Sequence, residues 1–410
     1  MRMWVYVVRR LILLVPIIVG VMTITFVLVS ALPPYQQLVA HYGSPPRQRT
    51  WLYNPTIPCT LLNSSAPSNA TCTNPYYAAL ANPLGIGEPA TTAWAQYMYR
   101  SLTFNWGTVS NDSTAGKIVP IAQGQPVIKV LGWFLPYTLE LAIFALLIIL
   151  IIAIPLGNLS AVYRNRPVDQ ASRVMSFSGY ALPSFLLGSL LIMGFILLLG
   201  AGHSYHGSPP WCGSGEPTYN EFTGSWPLQS CFANGIYPSW LGAGVISSPT
   251  GFPTIDAAVH GQYWLSLDTI GRMVLPALVI AFGSIAILLR FVRNSMLEVM
   301  NLDFVRTARA KGVPESVVVK RHAGRNSLNV TITVLGLTFA FFIGGFPIIE
   351  DVFKLNGVGY ILALSIQQTQ APLDYGLIFG STLLFTYVVV IANCVVDVLY
   401  ALLDPRVRLG

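Results

Sequence analysis

Six stretches of the chain stay apolar for about 20 residues or more, the length a helix needs to cross the hydrocarbon core of a bilayer. They run from Val5 to Leu32, Leu131 to Val162, Val174 to Ala201, Met273 to Val292, Leu328 to Ile349 and Leu377 to Leu403. Each predicts a membrane-spanning helix. Arg9 and Arg10 ahead of the first apolar run also fit a cleaved signal peptide. That run is long for one, and no small-residue cleavage site follows it cleanly, so it is read as a span. Two long polar stretches, Pro33–Val130 and Gly202–Gly271, interrupt the pattern. They are rich in Pro, Gly, Ser, Thr, Asn, Tyr and Trp, with no sustained helical or strand period. They predict irregular, partly ordered caps.

Composition agrees. Only 10% of residues are charged and 53% are hydrophobic, with a mean hydropathy of +0.59. A soluble domain carries roughly a quarter of its residues charged. The net charge of +7 would suit a nucleic-acid binder. Its distribution gives another cause. Numbering the loops alternately, 16 of the 23 Lys and Arg residues fall on the face that holds both termini. The opposite face has far more loop residues. Cations accumulate on the cytoplasmic side of membrane proteins, so the N- and C-termini are expected inside the cell membrane, and nucleic acid drops out as a partner. The expected fold class is an all-α integral membrane protein with six transmembrane helices and two large extracellular insertions. The expected divisions are a first helix (1–32), an extracellular cap (33–130), helices two and three (131–201), a second insertion (202–271), and helices four to six with a cytoplasmic basic loop at 294–327 (272–410).

The outside loops hold Cys59 with Cys72, and Cys212 with Cys231. Two pairs, each within one loop, fit two short disulfides in an oxidising compartment. Cys394 lies in the sixth span and reads as an ordinary buried thiol. Asn63, Asn69 and Asn111 open N-x-[ST] sequons outside, whereas Asn158 and Asn329 open sequons near the inner helix ends. Outer sequons and disulfides together fit a directly exposed surface, as on an archaeal cell. His203 and His206 near Cys212 could pass for a metal site. The disulfide reading uses that cysteine and leaves no metal centre.

The segment "DFVRTARAKGVPESVVVKRHAGRN", Asp303 to Asn326, carries six cations in 24 residues of a chain otherwise poor in charge. Its residues predict a helix, a glycine elbow at Gly312, and a second helix opened by Pro314 with Glu315 in its first turn. Val313, Val317, Val318 and Val319 need cover. The residues themselves leave two readings. The loop either lies on anionic lipid headgroups or docks into a cytoplasmic partner.

The segment resembles the EAA coupling loop of ATP-binding-cassette (ABC) importer permeases. "RTARAKG" is the form found in the dipeptide, oligopeptide and nickel group. "VVRRLILLVPIIVGVMTITFVLVSALP", "WAQYMYRSLTFNWG", "GQPVIKVLGWFLPYTLELA", "GGFPIIEDVFKLNGVGYILALSIQQTQAPLDYGLIFGSTLLF" and "VVDVLYALLDPRVR" are similar to successive parts of the same permeases. The likeness spans most of the chain outside two insertions, roughly Val39–Leu80 and His203–Tyr263. It has the form of the B-type subunit.

The resemblance implies a type I importer fold and a heterodimer with a second, homologous permease. It implies two ABC ATPase subunits that hold ATP and Mg, with no cofactor on this chain. It also implies an extracellular solute-binding protein. Peptides are the cargo of the family, and its archaeal members extend this to oligosaccharides. By position, Ala308, Ala310 and Gly312 form the coupling elbow, flanked by Arg306, Thr307, Arg309, Lys311 and Pro314. Small residues allow close backbone approach, and cations can pair with acidic groups on the partner. Gly324 and Asn329 stand where relatives carry larger apolar residues and a proline, which implies a different exit from the second coupling helix. The insertions imply a tethered binding protein rather than a free one.

The chain carries no G-x-x-x-x-G-K-[ST] and no H-E-x-x-H, so no ATPase or metalloprotease chemistry is expected of it. Polar residues within the spans are candidate pathway groups: Tyr137 and Glu140 on the second, and Ser176 and Tyr180 on the third, with Thr138, Ser178 and Ser184 nearby. Asp397 and Asn393 share a face of the sixth, where a helix-packing hydrogen bond is the simpler role. Two rival classes remain. One is a stand-alone channel or secondary transporter whose basic loop binds lipid, and the other is a membrane scaffold or receptor.

Overall fold

The computed structural model describes residues 3–45, 47–62, 67, 70–113, 115, 122–199, 250, 252–259, 261, 263–324, 326–327, 347–367 and 372–403. Most of the fifth predicted span, Cys212, Cys231, His203, His206, Asn63, Asn69 and Asn329 lie outside these residues. So do the side chains of Tyr180 and Asp397.

Helix α1 (Met3–Ser30) leads into a cap of α2 (Pro34–Tyr42), strands β1 (Thr56–Pro58) and β2 (Thr71–Thr73), α3 (Pro75–Ala81) and α4 (Ala90–Leu102). Next come α5 (Val127–Val162), α6 (Pro167–Ala181) and α7 (Ser184–Leu199). Then follow α8 (Pro253–Val259), α9 (Tyr263–Met300), α10 (Asp303–Ala310) and α11 (Glu315–Val317), which continues as a π-helical turn over Val318–Ala323. The last are α12 (Pro347–Val352), α13 (Val358–Ile366) and α14 (Tyr375–Leu403).

Among the described residues, four helical stretches are long and apolar enough to cross a membrane: Ile12–Ser30, Val127–Val162, Thr269–Met300 and Tyr375–Val395. They match the first, second, fourth and sixth predicted spans. The third differs. A single helix over Val174–Ala201 was expected, and the chain instead forms α6 and α7, bent by 106°. The cause is Pro183, which has no N–H to donate and forces the residue before it out of the helical region. Leu182 is accordingly extended, at φ −96° and ψ 116°.

The central packing is α5 against α9. Leu141, Ala145, Ile149 and Ala153 interlock with Ala277, Ala281, Ile285, Leu288 and Val292. Small residues bring the backbones close. A Cβ at Gly157 would lie 2.7 Å from Val292 Cγ1, and one at Gly179 on α6 would collide with the Ala286 methyl. In contrast, α1 turns Ile12, Leu13, Val15, Ile17, Ile24, Val27 and Leu28 outward. An apolar outer face is what lipid or a second membrane subunit would cover.

The first cap is more ordered than its sequence promised. β1 and β2 pair antiparallel, with Ile57 opposite Cys72. The predicted Cys59–Cys72 disulfide is present. Leu38, Val39, Tyr53 and Leu84 form a small core of their own. Asn74 caps α3 by accepting from the Tyr76 N–H at 3.0 Å, and its amide donates to the Trp51 and Asn54 carbonyls, both at 2.8 Å. Asp374, just before α14, accepts from Ser110 N at 2.9 Å and Ser113 Oγ at 2.8 Å, tying the end of the cap to the last span. Such long-range ties leave no periodic trace in sequence. Cys394 is free and half-buried rather than buried. Asn111 is exposed on a turn.

Candidate functional site

The basic segment folds as a helical hairpin whose tip is a glycine elbow. α10 ends in a Schellman motif. Gly312 N donates to Arg309 O at 2.9 Å, and Val313 N donates to Ala308 O at 3.2 Å. Gly312 sits at φ +75°, a conformation that glycine adopts without strain. A side chain there would meet nothing within 4 Å, so the elbow projects into open space. Pro314 stands one residue before α11 rather than inside it, with ψ 138°.

One face of the hairpin packs. Val305, Ala308, Val318 and Ala323 are buried against Ala161 at the end of α5 and Met296 and Val299 at the end of α9. Val313 and Val319 sit at the edge of this cluster, and Val317 remains outside. The other face is open: Arg306, Thr307, Arg309, Ala310, Lys311, Gly312 and Pro314 are all exposed. Ala308 is buried, because the helical period turns it onto the spans together with Val305. Arg309 is paired within the hairpin. Its guanidinium donates from Nη2 to Glu315 Oε1 at 2.7 Å and from Nε to Oε2 at 3.1 Å. Those hydrogen bonds lower the Glu315 pKa and raise that of Arg309. Both groups are solvated, so the pair contributes at most about 1 kcal/mol and acts mainly to brace the elbow. Arg306 lies 3.6 Å from Asp303, and Lys311 forms no ion pair among the described residues.

Behind the hairpin lies a polar hub that the sequence reading missed. Asp169, in the first turn of α6, is fully buried. It accepts from Arg293 Nε at 2.7 Å and Nη2 at 3.1 Å, from Arg173 Nη2 at 2.8 Å, from Ser160 Oγ at 2.7 Å and from Asn165 N at 2.9 Å. One carboxylate therefore joins α5, α6 and α9 close to the cluster that carries the hairpin. A lone acid in the arginine-rich "YRNRPVDQASR" was the available signal. Its partner, 124 residues away, was not visible in sequence.

The candidate pathway residues whose side chains are described lie on α5 and α6. Tyr137 and Glu140 are buried one helical turn apart on α5, and Glu140 Oε2 has no hydrogen-bond partner. Ser176 returns its hydroxyl to Ser172 O of its own helix at 2.9 Å, and Ser178 does the same to Val174 O at 3.0 Å. Thr138 has a clear structural role. It donates to Glu350 Oε1 at 2.7 Å and accepts from Val358 N at 2.9 Å. Glu350 Oε2 takes the N–H groups of Gly359 and Tyr360 at 2.6 and 3.1 Å, capping α13. No His, Cys, Asp or Glu cluster suited to a metal occurs among the described residues.

Several long apolar helices, joined on one side by an ordered cap and carrying a basic hairpin on another end, define a multi-pass membrane protein. Residues 153–409 match the family described as binding-protein-dependent transport system inner membrane component. A probable D,D-dipeptide transport system permease protein of Escherichia coli (strain K12) is 32% identical, over 97% of this chain and 95% of the relative. An oligopeptide transport system permease protein of Bacillus subtilis (strain 168) is 28% identical, over 98% and 99%. A dipeptide transport system permease protein of Escherichia coli (strain K12) is 27% identical, over 98% of each. The chain belongs to the binding-protein-dependent transport family. It is a membrane permease subunit of an ABC importer and not itself an ATPase.

Proposed function

We propose that this permease imports peptides and that its hairpin at 303–326 is the element driven by cytoplasmic ATPases. The observation that carries the reading is the two-sidedness of the hairpin. Its apolar face is packed on the ends of α5 and α9, while its cationic face and glycine elbow are presented with nothing over them. A loop that only lay on headgroups would have no need of a Schellman-capped, salt-bridged elbow. Force on such a tip passes directly into α5 and α9. The partners would be a second, homologous permease against the apolar faces, two ATPases holding ATP and Mg, and an extracellular solute-binding protein under the cap. Both termini and the hairpin would face the cytoplasm, with six spans in total and the second insertion outside. Peptide cargo follows the relatives, which are named for dipeptides and oligopeptides. None of these names supports an oligosaccharide.

Mass spectrometry of what co-purifies with the chain from its own membranes, in mild detergent, tests this. Two ATPases, a second permease and a binding protein are expected, and the ligand retained by the binding protein would identify the cargo. A chain recovered alone or only with lipid would assign the basic hairpin to headgroups and point to a channel.

A further inference from the structure

Helix α4 of the cap lies beside the spans rather than on top of them, and ties at its two ends fix its height. Near its start, Trp94 Nε1 donates to Thr23 Oγ1 at 3.1 Å. Thr23 falls about 10 Å short of Ser30, where the apolar stretch Ile12–Ser30 ends, at 1.5 Å per helical residue. At the other end, the Tyr387 hydroxyl donates to Ser101 O at 3.3 Å. Phe104 and Trp106 pack on the Tyr387 ring, with centroids 5.5 and 6.1 Å away. Tyr387 stands about 18 Å along α14 from Tyr375, and long side chains on a helix lean back toward its start. Both ends of α4 are therefore held well inside the apolar lengths of α1 and α14, on the side where those spans meet the cap.

The outward face of α4 fits that depth. Thr91, Ala95, Tyr99 and Leu102 recur at helical spacing along one exposed stripe that holds no charge. Tyr99 is 69% exposed and Leu102 58%, and Phe104, just beyond the helix, is 48% exposed. Arg100, the cation of the helix, points the opposite way and donates to Pro83 O at 3.0 Å and Leu84 O at 3.4 Å. Over the same depth α1, against which α4 packs, turns Ile24, Val27 and Leu28 outward. Glu88, exposed two residues before α4, carries a charge that needs water. That places the helix near the boundary of headgroups and acyl chains and away from the bilayer centre. We propose that α4 is an interfacial helix of the cap-side leaflet, with Tyr99, Leu102 and Phe104 against phospholipid acyl chains. A tyrosine suits this boundary, its ring among the chains and its hydroxyl at the wet edge. A helix facing water would have no cause to leave its large apolar side chains outward and fold its cation inward. The rival occupant of the stripe is a second membrane subunit. The inference rests on the chain being a membrane protein. It does not depend on what the hairpin couples to, nor on which face is cytoplasmic.

The test places the photoreactive residue p-benzoylphenylalanine in the full chain, in whatever complex it forms in its own membranes. It stands in place of Tyr99 in one variant and of Leu102 in a second, both exposed, so neither disturbs packing. Asn111, exposed on a turn of the cap, is the water-facing control. On irradiation the benzophenone carbonyl takes a hydrogen from the nearest C–H and bonds to that carbon. The ketone becomes a tertiary alcohol, and the adduct has the summed mass of chain and target. Intact-mass measurement should show the chain plus one phospholipid at Tyr99 and at Leu102, at several times the yield at Asn111. Adducts at both positions to another protein chain would assign the stripe to a subunit contact and overturn the proposal. A lipid yield at both positions no higher than at Asn111 would place α4 in water and overturn it equally. Failure of the coupling reading would leave the lipid adducts unchanged, so the two are tested separately.

Discussion

Asp169 receives five hydrogen bonds from four residues, on three helices and the turn between α5 and α6. Two of those residues are arginines, and they are not equivalent. The Arg293 side chain is 14% exposed and that of Arg173 is 49% exposed. Removing one partner of a buried pair leaves an uncompensated charge, which typically costs about 3–5 kcal/mol. A solvated partner contributes at most about 1 kcal/mol. Asp169→Asn, which keeps the shape and removes the charge, should therefore lower the thermal unfolding midpoint of the detergent-purified protein by several degrees or more. Arg173→Ala should barely move it. Equal midpoints for Asp169→Asn and the unsubstituted chain would mean that the hub does not hold α5, α6 and α9 together. In sequence, Arg293 was legible only as one more cytoplasmic cation, because its value to the fold depends on a carboxylate far along the chain. Gly312 was legible, since the need for a left-handed residue after "RTARAK" is a local matter. The burial of Ala308 was not legible, because the small residues of the motif do not share one face of α10.

Apolar run length located four helices well, because lipid imposes a length and a composition that few other environments do. It failed at Leu182-Pro183, where a continuous apolar run hides a break in the backbone, although the proline itself was there to be read. It failed more widely in the cap, whose helices are short and whose order depends on Asn74, Asp374 and the Cys59–Cys72 bridge. The α5–α9 contact allows a sharper test, because two glycines of α5 differ only in what surrounds them. At Gly157 a Cβ would press on Val292, and at Gly132 it would meet nothing within 4 Å. Gly157→Leu should destabilise the protein by about 1–3 kcal/mol through overpacking. Gly132→Ala should be neutral or stabilising by up to about 1 kcal/mol, through helix propensity alone. Adding Val292→Ala to Gly157→Leu should restore part of the loss. If the two glycine variants melt alike and the second substitution recovers nothing, close packing does not set this interface.

At the scale of the whole molecule, the family, the importer class and the excess of cations on one face could all be argued from the chain, whereas the cargo could not. In the proposed coupling the hairpin would carry the mechanism, and its solvent-facing tip is where that proposal can be tested. Gly312 has open space around it, and aspartate tolerates the left-handed conformation better than most side chains. Gly312→Asp should leave membrane insertion intact and lower stability by about 1–2 kcal/mol, the strain of a side chain at φ +75°. The new carboxylate would stand on the face that offers Arg306 and Lys311, weakening the positive charge a partner meets and holding its backbone off the elbow. In vesicles containing the assembled importer, substrate uptake is expected to fall at least about tenfold, a loss of some 1.4 kcal/mol or more in coupling. The ATPases themselves would remain intact, and their activity would no longer follow the addition of loaded binding protein. Uptake and stimulated hydrolysis both at the level of the unsubstituted importer would remove the elbow from the coupling path. Uptake lost together with insertion would instead show that the glycine serves folding.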